Sequence, residues 1–164
     1  MIVTGIGSRE TPLDILALMT EIGNYCRENR IFVRSGHAPG ADQAFEQGAQ
    51  EMCIAYIPWD GFERGFASRA KLRIPRNLNK LMEYTKPFHP AWDRLSQGAQ
   101  KLMSRNVAQI LGENMDKPSD IVFCWTPGGK MVGGTAQAIK IAEANKIKVV
   151  NLHNDRDWVS HLLF

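Results

Sequence analysis

Residues 33–49, VRSGHAPGADQAFEQGA, place three glycines, one proline and two acids where a strand should become a helix. A bare connection needs only a short turn and a cap. Upstream, Ile31 to Val33 form a short apolar run of strand type. Downstream, Ala41, Ala44, Phe45, Gly48, Ala49 and Met52 recur at i, i+3, i+4, i+7, i+8 and i+11, which is one packed helical face. The segment between is a flexible, donor-rich turn with Asp42 and Glu46 just behind it. Such a turn suits holding a ligand better than merely joining two elements.

The same alternation continues on both sides. Ile2 to Thr4 read as a strand ending in Gly5-Ile6-Gly7, and residues 13–29 carry apolar residues at helical spacing after Thr11-Pro12. Cys53 to Ile57 give a third strand closed by Pro58. Leu95 to Leu111 give a helix ended by Gly112, with Leu95, Ala99, Leu102, Met103 and Ile110 as its inward stripe and Asn106 near its centre. Ile121 to Trp125 and Ile147 to Leu152 give two further strands around a helix containing Thr135, Ala138, Ile139 and Ala142, and a short helix closes the chain near 157–163. Strands alternating with helices imply right-handed β-α-β units around a mainly parallel sheet. The expectation is a single three-layer, doubly wound α/β domain over residues 1–164, with 59–92 as an irregular insertion or lid that carries His89 and Trp92.

Composition narrows the setting. With 44% hydrophobic and 23% charged residues, the 164-residue chain has ordinary globular chemistry and enough length for a real core. No apolar run approaches the roughly 20 residues of a membrane span, and the N-terminus lacks the pattern of a secretory signal. Cys26, Cys53 and Cys124 lie far apart, and His37, His89, His153 and His161 are equally scattered. The expectation is reduced, buried thiols in a cytoplasmic protein, with no metal site and no cofactor. The net charge of +3 is compatible with an anionic small molecule without demanding nucleic acid.

Glycines follow strand one (Gly5, Gly7), strand two (Gly36, Gly40) and the strand at 121–125 (Gly128, Gly129, Gly133, Gly134). In a doubly wound fold these turns line one edge, beyond the carboxyl ends of the strands, where ligands bind. Each leads to a helix N-terminus whose free N–H groups and positive dipole end favour an anion. Three such turns at one rim predict a phosphate-bearing ligand. The dinucleotide fingerprint is absent, because Glu10 stands where the third glycine of G-x-G-x-x-G belongs, and there is no P-loop motif.

Ser35-Gly36-His37-Ala38-Pro39-Gly40-Ala41-Asp42 resembles the S-G-x-A-x-G-[IA]-D segment of the SLOG superfamily, which includes the DNA-processing protein A (Smf) family and the Lonely-guy phosphoribohydrolases. Pro127-Gly128-Gly129 with Gly133-Gly134-Thr135 is similar to the Lonely-guy P-G-G-x-G-T phosphate loop, with residues inserted. Gly7-Ser8-Arg9 and Arg105-Asn106 resemble signatures of the small YspA-like, YpsA-related members of phages and bacteria. The resemblance implies a Rossmann-like nucleotide-binding domain and assembly as a homo-oligomer. It also implies a carboxylate at position 138, where this chain has Ala138.

The candidate ligand-binding residues are Gly7, Ser8, Arg9, Ser35, Gly36, His37, Gly40, Trp59, Arg105, Asn106, Pro127, Gly128, Gly129, Gly133, Gly134 and Thr135. Ser8, Arg9, Arg105 and Thr135 are phosphate partners by chemistry, and Trp59 offers a stacking face. Asp42 and Glu46 are the candidate catalytic pair, at i and i+4 on one helix. Three functions remain open. The first is binding of a small-molecule nucleotide with hydrolysis of the N-glycosidic bond of a nucleoside 5′-monophosphate. The second is a non-catalytic nucleotide sensor or sequestering protein. The third is a DNA-processing-like binder of single-stranded DNA, expected to be weak, through the basic residues between Arg64 and Lys80.

Overall fold

A computed structural model describes residues 1–163. Six strands form one all-parallel sheet: β1 (Ile2–Gly5), β2 (Phe32–Ser35), β3 (Cys53–Tyr56), β4 (Lys71–Arg73), β5 (Ile121–Cys124) and β6 (Lys148–Asn151). Their spatial order is β4-β3-β2-β1-β5-β6. The chain winds outward from β1 to β4, then crosses back to β5 on the other side of β1. The β1/β5 pair is therefore the topological switch point, where the connections on either side diverge and leave a crevice. This is a Rossmann-like α/β fold with helices on both faces.

The helices are α1 (Leu13–Glu28), α2 (Ala41–Ala49), α3 (Leu78–Thr85), α4 (Gln97–Leu111), α5 (Gly133–Ala144) and α6 (Trp158–Leu162). Strand β5 shows how the layers arise. Ile121 and Phe123 join the core made with α1, α2 and α6, while Val122 and Cys124 join the core made with α3, α4 and α5. Alternate residues of a strand face opposite ways, so a run apolar at every position must be covered twice. Helix α2 lies close over β1 because Gly5 has no side chain: a Cβ there would fall inside the Phe45 ring.

The segment expected to be irregular contains β4 and α3. Strand β4 is short, on the sheet edge and largely exposed, with Leu72 at 44% exposure, so it carries no buried apolar run to announce it. The stripe of α4 also differs from the sequence reading. Val107, Ala108, Ile110 and Leu111 face the sheet with Ser104 and Arg105, whereas Leu95, Ala99, Leu102 and Met103 are half-buried. The apolar residues of α4 serve two surfaces, the sheet and a cleft. All three cysteines are buried and unpaired, and no helix among the described residues is long and apolar enough to cross a membrane.

Candidate functional site

At the switch point, the carboxyl ends of β1 and β5 open into a cleft of about 380 Å³, at the small end of the ligand-pocket range. The turn after β1 supplies Gly7, Ser8 and Arg9, and the turn after β2 supplies Ala38 and Asp42. Helix α4 supplies Leu102, Met103, Arg105, Asn106 and Gln109, and the start of α5 supplies Gly133, Gly134 and Thr135. Parts of all three glycine turns thus meet at one hollow.

The mouth brings together a helix N-terminus and the charged side chains of Arg9 and Glu10. Helix α5 begins after Val132 with no side chain capping it, so its first N–H groups have no partner within the helix. Twelve residues of aligned peptide dipoles stand behind them. Arg9 lies beside this mouth with its side chain 60% exposed, held only loosely by Glu63 at 4.0 Å. The Ser8 hydroxyl accepts from Glu10 N–H at 3.0 Å, and the Ser8 carbonyl accepts from the Thr11 hydroxyl at 2.6 Å. Those bonds fix the turn.

The floor is polar. Arg105 is 5% exposed; its Nη1 donates to the carbonyls of Gly36 and Tyr56, and its Nε donates to Asn106 Oδ1 at 3.1 Å. Asn106 in turn donates to Gln137 Oε1 at 3.0 Å. Asp42 Oδ2 accepts from Ala38 N–H at 3.2 Å. Burial pushes the Asp42 carboxyl up to about 6, with Arg105 pulling the other way and Glu46 adding to the rise. Gly36 makes this crowding feasible. A Cβ there would meet the Gln109 amide nitrogen, Asp42 Oδ2 at 2.7 Å and the Arg105 guanidinium at 2.8 Å.

Several candidates stand elsewhere. The Ser35 hydroxyl donates to the Gly5 carbonyl at 2.7 Å and braces the wall between β1 and β2. Glu46 does not line the cleft. It is buried with His37, whose Nδ1 lies 2.8 Å from Glu46 Oε1, and the Ser68 hydroxyl donates to the same oxygen at 2.9 Å. The Glu63 carbonyl accepts from His37 Nε2 at 3.1 Å. Burial raises the Glu46 carboxyl, against the pull of His37. Gly40 sits over the backbone of Ser8 and Arg9 with φ of +89°. Pro127–Gly129 form a separate short turn, with Gly129 against Asn154 and His153; only the second half of the expected phosphate loop reaches the cleft. His89 and Trp92 do not line it, and Trp92 is buried.

A second hollow follows along the same carboxyl edge, beyond β2, β3 and β4. Phe62, Arg64, Phe66, Leu72 and Ile74 line it, with His37 in its wall. Arg105 separates the two hollows, its guanidinium 5.4 Å from the centre of the Phe62 ring. Trp59, 38% exposed, packs edge-on against Phe62 at 5.5 Å.

Gln109 is one of the cleft residues that sequence reasoning missed, with Glu10, Ala38, Leu102, Met103 and Val132. The signal for Gln109 was its spacing: it lies three and four residues beyond Asn106 and Arg105, on the same helical face.

No protein-family model matches the sequence, and comparison with curated proteins finds no match. Among solved structures, the chain is similar to DNA processing protein A from Helicobacter pylori, described for a unique mode of binding single-stranded DNA. That match covers 91% of this chain and 63% of the other at 15% identity, with a TM-score of 0.61. DNA processing protein A from Streptococcus pneumoniae matches over 90% of this chain and 48% of its own, at 19% identity and a TM-score of 0.50. The chain thus spans less than two thirds of either protein, and at these identities the likeness is one of fold.

Proposed function

We propose that this protein binds single-stranded DNA, with one nucleotide unit of the strand seated in the cleft and its phosphate at the start of α5. The carrying observation is the uncapped N-terminus of α5 opening into a nucleotide-sized hollow. That hollow lies on an edge where Trp59 and the Arg64 groove continue the surface. A strand needs phosphate donors spaced along a track and aromatic faces for its bases. The fold likeness to DNA processing protein A, one example of which binds single-stranded DNA, supports the strand over the free nucleotide that the sequence ranks first. Gly7-Ser8-Arg9 and Arg105-Asn106 support placing the chain near the small YspA-like members of the superfamily.

A free nucleoside 5′-monophosphate is the second reading, favoured by the cleft's capacity for one such unit. Neither reading needs bond cleavage. Of the two candidate catalytic carboxylates, Asp42 reaches the cleft, whereas Glu46 lies away from it with Oε1 held by His37 and Ser68.

Gly134→Glu tests the phosphate seat. Gly134 is exposed, and a Cβ there would make an ordinary 3.5 Å contact with Met103. A carboxylate at a helix N-terminus favours the helix but repels a phosphate. Fluorescence anisotropy with a labelled single strand should show affinity falling by about tenfold or more, with an unchanged or higher melting temperature. Retained affinity would remove the phosphate from α5. A titration with unlabelled mononucleotide that displaces the strand only at far higher concentration supports the strand as the ligand.

A further inference from the structure

Helix α4 carries two apolar side chains that the packing of the domain does not use. Val107, Ala108, Ile110 and Leu111 close the core shared with α3 and α5. Leu102 and Met103, one turn before Asn106, are half-buried, and among the described residues both cores are closed without them. They line the cleft instead. The Met103 methyl lies 3.5 Å from where a Cβ on Gly134 would stand, so this wall runs up to the first turn of α5. Val132, 47% exposed, lines the cleft at that same end. Apolar residues scattered singly over a surface need no explanation, but three meeting in one hollow beside a helix N-terminus do.

The polar groups of the floor are turned toward one another. Arg105 donates to the carbonyls of Gly36 and Tyr56 and to Asn106, and Asn106 donates to Gln137. The Gln109 amide is sealed beneath them. What the cleft offers one turn above this floor is an apolar face next to the proposed phosphate seat. Of the three parts of a nucleotide, the phosphate and the sugar are polar, and only the base has a broad apolar face. Removing that face and an aliphatic wall from water together is favourable, and a thioether resting on an aromatic ring adds to it.

We propose that Leu102 and Met103 are the base platform of the cleft: the face of the nucleobase belonging to the seated phosphate lies against these two side chains, with Val132 at its margin. The inference rests on the proposed function. It adds the orientation of the unit, phosphate at α5 and base along α4, and it makes the contact one of face rather than edge, so that any base is accepted.

The test compares two labelled single strands of equal length, one with ordinary bases and one with abasic tetrahydrofuran units. Each is titrated against the unaltered protein and a variant carrying Leu102→Gln and Met103→Gln. Glutamine suits a helix interior and is close to both residues in size. Affinity for the base-bearing strand should fall about five- to tenfold, as for the loss of one stacked base. Affinity for the abasic strand should not change, and the melting temperature should stay close to that of the unaltered protein, because neither residue belongs to a core. Met103→Gln alone gives a milder variant with the same expected split should the double one melt early. Met103→Leu keeps the wall apolar and should bind both strands as the unaltered protein does. Unchanged affinity of the double variant for the base-bearing strand, an equal loss for both strands, or a loss in Met103→Leu as large as in Met103→Gln would overturn the platform while leaving strand binding intact. Failure of the unaltered protein to bind either strand would overturn the proposed function and this inference with it.

Discussion

Asp42 and Glu46 stand one turn apart on α2, both nearly free of solvent, yet they support different hollows. Asp42 lines the cleft at the switch point. Glu46 holds His37, and the His37 ring lies 5.6 Å from Phe66 in the wall of the outer groove. Four residues along a helix carry a side chain roughly 6 Å down the axis and about 40° around it. That step moves Glu46 from the carboxyl edge into the body of the domain. Spacing at i and i+4 places two acids on one helical side without placing them in one cavity.

The largest expected effect falls on the Glu46 side of this comparison. Replacing His37 with leucine would leave Glu46 buried with the Ser68 hydroxyl alone, and breaking a buried pair from one side costs about 3–5 kcal/mol. Denaturant unfolding of His37→Leu should show a loss of that order, while the residual folded protein binds a labelled single strand as before. Loss of strand binding at undiminished stability would break the comparison and bring the His37–Glu46 pair into the binding machinery. Incubation of the unaltered protein with nucleoside 5′-monophosphates is expected to release no free base by chromatography.

Asp42 gives the next effect, and its sign follows from burial. Its carboxyl rises from 3.8 in the unfolded chain to about 6 in the fold, so the folded state holds the proton more tightly. The stability linked to this group is complete below 3.8 and is lost as pH climbs through about 6. A shift of that size corresponds to roughly 3 kcal/mol. Glu46 is raised as well and adds a slope of the same sign. Asp42→Asn should therefore flatten, without abolishing, the fall in unfolding free energy across this window. An unaltered slope in the variant would show that Asp42 does not carry the buried charge.

How far these contrasts were legible depends on what each residue must satisfy. The alternation of strands and helices is written in apolar periodicity, and the glycine turns mark the carboxyl edge of the sheet, so the doubly wound sheet and the cleft at its rim follow from sequence. Strand β4 does not, because Lys71-Leu72-Arg73 pairs by backbone at an exposed edge and buries little apolar surface. Arg105 reads from sequence as a phosphate partner, since nothing in the local sequence announces that its guanidinium serves the carbonyls of Gly36 and Tyr56, 69 and 49 residues away. Asn106 was expected at the centre of an apolar stripe. It lies instead on the cleft face with Leu102 and Met103, because α4 divides its apolar residues between two surfaces. Long-range partners of polar side chains were the illegible part.

The smallest expected effect compares the two hollows directly through one arginine at each. Arg9 stands at the mouth of the cleft and Arg64 lines the outer groove. Both are exposed cations, so each would contribute a phosphate contact that screens with salt rather than a buried pair. Removing one such contact from a single-strand complex should reduce the slope of log affinity against log salt by about 0.7. Arg9→Gln and Arg64→Gln are both expected to do so for a labelled strand, at modest cost in affinity. A mononucleotide separates them. Seated in the cleft, its phosphate is within the field of Arg9 and beyond the outer groove, so Arg9→Gln weakens it and Arg64→Gln leaves it unchanged. Equal weakening of the mononucleotide by both variants would mean that the two hollows act as one site, and that Arg105 does not divide them.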